Sequence, residues 1–197
     1  MFVDLVGYIA QASRESRAGL IALLMTQRVL VEAVVLPRGG KIVKSLGDGL
    51  LVTLPSATEA ILAAAEIQKR GRTNEGASAA ATSAAGGLPM RIGISTGEVV
   101  THGGDIYGDC VNVASRLQSL ASPGEVYFSE ASYQTMNRGE IQHELVGEFE
   151  LKGVPEKVRV FRASLVDGDE EGSPARSAAS FAPPSVGNHL AQKEPPP

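Results

Sequence analysis

The sequence predicts an α+β domain in which helices pack against one face of an antiparallel sheet. Strand-like apolar runs alternate with stretches of helical periodicity, and the strand-like runs come in adjacent pairs separated by tight-turn residues. With 43% of its 197 residues hydrophobic, the chain can bury one core of ordinary size and is too short for two.

Phe2 and Val3 lead into Asp4 as a first strand, expected to be brief because only Met1, Phe2 and Val3 precede that aspartate. Leu20, Leu23, Leu24, Leu30, Val31 and Val34 recur at helical spacing, and P-R-G-G at 37–40 stops the pattern, which predicts a long first helix. K-I-V-K-S at 41–45 and L-L-V-T-L at 50–54 read as strands joined by L-G-D-G, a hairpin with Asp48 at its turn. Ser56 and Glu59 form an S-x-x-E capping box ahead of the second helix. Residues 71–88 hold one large apolar side chain, Leu88, too little to offset the entropy of ordering, and predict a flexible loop.

M-R-I-G-I-S at 90–95 and E-V-V-T-H at 98–102 predict a second hairpin through Thr96 and Gly97. Val113, Ala114, Leu117 and Leu120 form the apolar face of a third helix, which Pro123 and Gly124 end. E-V-Y-F at 125–128, a short helix near 130–136 and strands around 143–151 and 157–163 complete the body. The order βαββαβ is a ferredoxin-like layout, followed by a small α/β appendage. Residues 165–197 carry six of the eleven prolines and few large apolar groups, so they predict a disordered, acidic, proline-rich tail behind a domain of residues 1–164.

Charge and cysteine content exclude several classes. The formal net charge is −4, most of it in the tail, so the body is close to neutral and has no basic footprint for DNA or RNA. Cys110 is the only cysteine, which rules out an internal disulfide and a cysteine-rich zinc site and fits a reducing, cytoplasmic setting. The three histidines, His102, His143 and His189, are too far apart for a zinc pattern. The run A-G-L-I-A-L-L-M at 18–25 falls short of the roughly 20 residues that span a bilayer, so no membrane segment and no signal peptide are expected.

The residues that carry chemistry are few. Asp4 ends a strand and is followed by L-V-G-Y, where Gly7 permits a turn in which the N–H groups of Val6, Gly7 and Tyr8 can point at one anion. Asp48 sits on a glycine-flanked turn. Two carboxylates beside an anion nest suit a phosphate-bound divalent cation, which takes a few hard oxygen ligands and leaves room for water and phosphate; turn capping is the commoner role of such aspartates. Asn112 and Arg116, four apart, share the polar face of the third helix, where an amide and a guanidinium can stabilise charge on a phosphoryl oxygen or stand as a solvated face.

Taken together, F-V-D-L-V-G-Y, G-G-K-I-V-K-S-L-G-D-G, R-I-G-I-S-T-G-E-V, G-D-I-Y-G-D-C-V-N-V-A-S-R and E-L-K-G-V-P-E-K-V-R-V-F resemble, in order, the motifs of the class III nucleotidyl cyclases over about residues 2–163. The resemblance implies a palm-like, cyclase-homology domain that converts ATP to 3′,5′-cyclic AMP and pyrophosphate. It implies that Asp4 and Asp48, with the Leu5 carbonyl, ligate two Mg²⁺ or Mn²⁺ ions. Lys44 and Asp105 would recognise adenine, Asn112 would orient the ribose, Arg116 would stabilise the transition state, and Lys152 would contact the triphosphate. It also implies a head-to-tail homodimer, with metal ligands from one protomer and the other contacts from its partner.

A donor-only lysine beside an acceptor-only aspartate matches adenine and mismatches guanine. The other readings are a guanylate cyclase, or a cyclase-homology module that binds nucleotide or a partner without turnover. G-G-D-I at 103–106 superficially resembles a diguanylate cyclase signature, but Ile106 and Tyr107 break it.

Overall fold

The computed structural model describes residues 1–8, 16–73 and 87–164. Its elements run β1 (Phe2–Leu5), α1 (Arg17–Val35), a 3₁₀ turn (Leu36–Arg38), β2 (Lys41–Leu46), β3 (Gly49–Thr53), α2 (Ala57–Thr73), β4 (Met90–Ile94), β5 (Val100–His102), β6 (Asp105–Tyr107), α3 (Asp109–Leu120), β7 (Val126–Ser129), α4 (Glu130–Thr135), β8 (His143–Phe149) and β9 (Val158–Ala163).

Seven strands form one mixed sheet in the order β2-β3-β1-β4-β7-β9-β8. The first four are the βαββαβ unit, antiparallel throughout; β7 joins β4 in parallel, and β8 and β9 extend the sheet by an antiparallel pair. The expected appendage is therefore continuous with the central sheet. β1 is short, as expected, yet it is paired along both edges, with Asp4 opposite Gly49 on one side and Arg91 on the other. Its pairing continues into Met1, whose carbonyl accepts the Val52 N–H at 2.9 Å.

Strand alternation divides the sheet into two faces. Val3, Leu5, Met90, Ile92, Ile94, Val126 and Phe128 point into one core with Val31, Val34, Ile61 and Ile67 of α1 and α2. On the opposite face, Tyr127 and Val160 pack with Val113 and Leu117 of α3. The expectation of helices on one face thus holds for α1 and α2, while α3 covers the other. Gly93 makes that possible: a Cβ there would lie 2.2 Å from the Ala114 carbonyl oxygen and from the Gln118 nitrogen. Without a side chain, β4 lets the backbone of α3 lie directly on it.

Local signals explain most boundaries. Ser16 caps α1 by accepting the Gly19 N–H at 3.1 Å, and Ser56 accepts the Glu59 N–H at 3.1 Å ahead of α2. Four details depart from the sequence reading. The expected hairpin of 90–95 with 98–102 does not form, because both edges of β4 are already filled by β1 and β7. Instead β5 pairs with β6 across Gly103 and Gly104, both at positive φ (59° and 81°), the backbone of a two-residue hairpin turn. Gly71–Thr73, expected in the flexible loop, belong to α2, where Gly71 is buried; residues 74–86 of that loop and the whole tail from 165 lie outside the described residues. Leu120, expected on the apolar face of α3, is 41% exposed, and Gln118 takes the inward position.

The fourth departure concerns the first helix. The segment Arg17–Arg38, which holds an 18-residue stretch of mean hydropathy 1.8, is long and apolar enough by length and composition to cross a membrane, which the shorter run at 18–25 was not. In this fold its inner face of Gln27, Leu30, Val31, Val34 and Val35 is buried, while Ile21, Met25 and Val29 are exposed.

Candidate active site

The register of the central strands brings the two aspartates together. Asp4 pairs with Gly49, the residue that follows Asp48 in the β2–β3 turn, so both carboxylates stand at one end of the sheet. Asp4 points to the α3 face because its neighbours Val3 and Leu5 point into the other core. Its Oδ2 accepts from the Arg91 guanidinium at 2.7 Å and from the Gln118 amide at 2.9 Å. Burial pushes the Asp48 carboxyl above its ordinary range. The negative charge of Asp4 raises it further, and a hydrogen bond between the two carboxyls favours the protonated form. The main-chain carbonyl of Asp48 accepts from Gln27 at 3.0 Å.

A carboxylate whose pKa is raised by burial and by a neighbouring carboxylate is one a hard cation would relieve, and the oxygens of Asp4 and Asp48 suit Mg²⁺ or Mn²⁺. Among the described residues no group of three or more His, Cys, Asp or Glu side chains could hold a metal ion, so a cation here needs further oxygens from main chain, water or phosphate. Leu5, the last residue of β1, buries its side chain, which leaves only its carbonyl for such a role. Of the expected anion nest, Val6 is already engaged: its N–H donates to the Pro89 carbonyl at 2.9 Å. That N–H continues the pairing of β1 with the approach to β4 and cannot also bind an anion. Gly7, at φ 75°, and Tyr8 remain as the turn that follows.

Lys44 of β2 and Asp105 of β6 meet in an ion pair at 2.5 Å, although they are 61 residues apart in sequence. The Lys44 ammonium, and then the Ile106 N–H at 2.8 Å, hold the Asp105 carboxyl below its usual range. Asn112 and Arg116 lie on the exposed side of α3, turned away from the buried face that carries Val113, Ala114, Leu117 and Gln118. Arg116 Nε donates to the Lys152 carbonyl at 3.2 Å, which brings those two residues to one place. Within one chain, then, the sequence-predicted residues fall into three groups: Asp4 with Asp48, Lys44 with Asp105, and Arg116 with Lys152.

Sequence reading missed Arg91, Gln118 and Gln27. Arg91 has a legible signal: a cation inside M-R-I-G-I, a strand whose other side chains are apolar or absent, facing away from the core. Its Nε is buried without a hydrogen-bond partner. The two glutamines fall in helices at positions that read as ordinary amphipathic variation.

A sequence model of the family described as the Adenylate and Guanylate cyclase catalytic domain matches residues 1–163. This chain belongs to that family. It is 29% identical over 175 residues to a putative adenylate cyclase 3 of Rhizobium meliloti, covering 85% of this chain and 28% of that protein. It is 31% identical over 141 residues to an adenylate cyclase of Streptomyces coelicolor, covering 70% of this chain and 33% of that one. The chain thus spans about a third or less of the length of these relatives. Among solved structures, the catalytic core of a rhodopsin-guanylyl cyclase with converted specificity, in complex with ATPαS, superposes with a TM-score of 0.73 at 27% identity, over 83% of this chain and 92% of that one. Membership of this family accounts for the mixed sheet and for the motif order.

Proposed function

We propose that the chain converts ATP to 3′,5′-cyclic AMP and pyrophosphate as a head-to-tail homodimer, with Mg²⁺ or Mn²⁺ held at Asp4 and Asp48. The Lys44–Asp105 pair carries the choice of ATP. An ammonium can donate to the ring acceptor of adenine and a carboxylate can accept from its amine, whereas guanine offers a carbonyl and a protonated ring nitrogen at those places. Binding the base replaces one contact between side chains with two contacts to adenine.

The orientation of α3 favours a shared site. Asn112 and Arg116 face away from the sheet, so they cannot act on a phosphate held at the Asp4 end of their own chain. A second copy can supply them. The exposed apolar side chains Leu46, Val99, Val100 and Tyr107, on and beside the β2–β3 and β5–β6 hairpins, are the kind of surface such a partner would bury.

In this reading the ribose 3′-oxygen attacks the α-phosphorus in line with the leaving pyrophosphate. Bound divalent cations would supply charge neutralisation and a more acidic 3′-hydroxyl. Asn112 orients the ribose, Arg116 stabilises charge on the phosphoryl oxygens, and Lys152 neutralises the triphosphate. The turn at Gly7 and Tyr8 lets the backbone approach the phosphates. Arg91, beside Asp4 and with an unpartnered Nε, adds a cation at the phosphate end.

The test is cyclic nucleotide formation by the purified chain with ATP or GTP and either metal, at a series of protein concentrations. Cyclic AMP formation with specific activity that rises with concentration is expected. Preference for GTP would replace the substrate assignment, and nucleotide binding without turnover at high concentration would favour a non-catalytic module.

A further inference from the structure

Each of the three long helices buries one glutamine, and all three amides reach the same end of the sheet. Gln27 and Gln68 are 1% exposed and Gln118 is 9% exposed. A leucine or methionine would fill such positions at no hydrogen-bonding cost, so a buried amide calls for a partner that needs it. Gln68 of α2 donates to the Met90 and Glu125 carbonyls at 2.9 and 3.0 Å, tying the start of β4 to the approach to β7. Its acceptors are carbonyls of β4 and of the residue before β7, and not of either aspartate, so its role is to hold strands together.

The other two differ in what they hold. Gln118 of α3 donates to a side-chain carboxylate oxygen, Oδ2 of Asp4. Gln27 of α1 donates to the carbonyl of Asp48 itself, from the opposite face of the sheet. We infer that Gln118 and Gln27 are positioning residues for the cation site, an inference that rests on Asp4 and Asp48 being the metal ligands. Gln118 and Arg91 converge on Oδ2 and leave Oδ1 on the side of Gly49 and the Asp48 turn, where an ideal Cβ on Gly49 would come within 3.5 Å of it.

An amide is suited to this work because it is a neutral donor. It fixes the carboxylate without cancelling the charge that a cation needs, whereas a second cationic donor beside Arg91 would weaken the ligand. Gly93 belongs to the same device. By letting the backbone of α3 touch β4, it places the Gln118 side chain within reach of β1. Gln27 completes the arrangement by fixing the turn, so that the separation of the two carboxylates is set by helices on both faces of the sheet.

The experiment compares Gln118→Met, Gln27→Met, Gln68→Met and Asp48→Asn in the full chain, with Mn²⁺ titration followed by electron paramagnetic resonance in the presence of a non-hydrolysable ATP analogue, and with thermal unfolding. Methionine keeps length and volume but cannot donate. Gln118→Met and Gln27→Met should weaken Mn²⁺ binding by about 10-fold or more. Gln68→Met should lower the unfolding temperature with Mn²⁺ affinity unchanged. Half-saturating Mg²⁺ for turnover should rise in the first two variants while kcat at saturating metal falls by less.

Should Gln118→Met fail to fold, Gln118→Ala, which lets water in to partner Asp4, serves in its place. A folded Gln118 variant with parental Mn²⁺ affinity, alongside weakened Asp48→Asn, would overturn the positioning role alone. If Asp48→Asn binds Mn²⁺ as the parent does, the metal assignment itself falls, and this inference with it.

Discussion

At the Asp4 end of the sheet the chain supplies its own supports: Arg91 and Gln118 hold the Asp4 carboxylate, and Gln27 holds the main chain of Asp48. On the outer face of α3 the situation is reversed. Asn112 and Arg116 are exposed, and among the described residues Arg116 donates a hydrogen bond to a main-chain carbonyl of a loop. Both regions hang on the same helix, with Gln118 only two residues beyond Arg116 yet on the opposite side of its wheel. One half of the site is shaped by the fold, and the other half waits for whatever surface comes to face it. In the proposed head-to-tail dimer a preorganised cation end would be built within one chain, while Asn112 and Arg116 would arrive from the partner, which would make assembly a point of control.

The largest effect that tests this contrast is complementation. Asp48→Asn and Arg116→Ala should each lower cyclic AMP formation by about 100-fold or more. Mixed together, the two chains should regain roughly a quarter of parental activity, since in a mixed dimer one of the two sites carries both lesions and the other carries neither. No recovery on mixing, with both chains folded and dimeric, would place the two halves in a single chain and break the comparison. A smaller effect concerns the base. Lys44→Glu with Asp105→Ser exchanges a donor for an acceptor and removes the carboxylate, and should lower the kcat/KM ratio of ATP over GTP by roughly 100-fold. An unchanged ratio would mean that the pair at 2.5 Å is a tie between β2 and β6 and not a base reader.

The same contrast explains what could be read from the sequence. Strands, helices and the Asp48 turn follow from local signals such as the Ser56 capping box and the short apolar runs of β3 and β4. Lys44 and Asp105 are linked in the sequence only by the family resemblance, as two contacts to one base, and the fold brings them into an ion pair across 61 residues. Pairing was harder. Gly97 looked like a hairpin turn, but β4 had already filled both its edges, a fact that belongs to the sheet and not to the segment. Leu120 and Gln118 traded places because helical spacing fixes which residues share a face, not how wide the buried stripe runs. Gly93, read as a strand residue, carries a helix-packing contact that only the tertiary structure reveals.

Gly93→Ala therefore offers a third test, of stability. The new methyl would collide with the Ala114 carbonyl and the Gln118 nitrogen, both backbone atoms that cannot swing aside, so α3 must lift from β4. Overpacking of this kind should cost about 1–3 kcal/mol in the free energy of unfolding by denaturant. Because lifting α3 also withdraws Gln118 from Asp4, the variant should lose Mg²⁺ affinity as well. A loss of stability with metal affinity intact would separate the helix contact from the carboxylate.

The smallest expected effect is the most telling about the outer face. Asn112 is exposed on a helix whose packing is made by the opposite side, so Asn112→Ala removes no buried contact and replaces the residue with a better helix former. Its unfolding free energy should stay within about 0.5 kcal/mol of the parent, measured at a concentration where the chain is monomeric. Turnover in the assembled state should nonetheless fall, because in the proposed dimer the amide acts across the interface on the ribose. Destabilisation of the isolated chain by Asn112→Ala would show that this face is already engaged within one protomer, and the division between a half-site the fold builds and one that assembly completes would no longer hold.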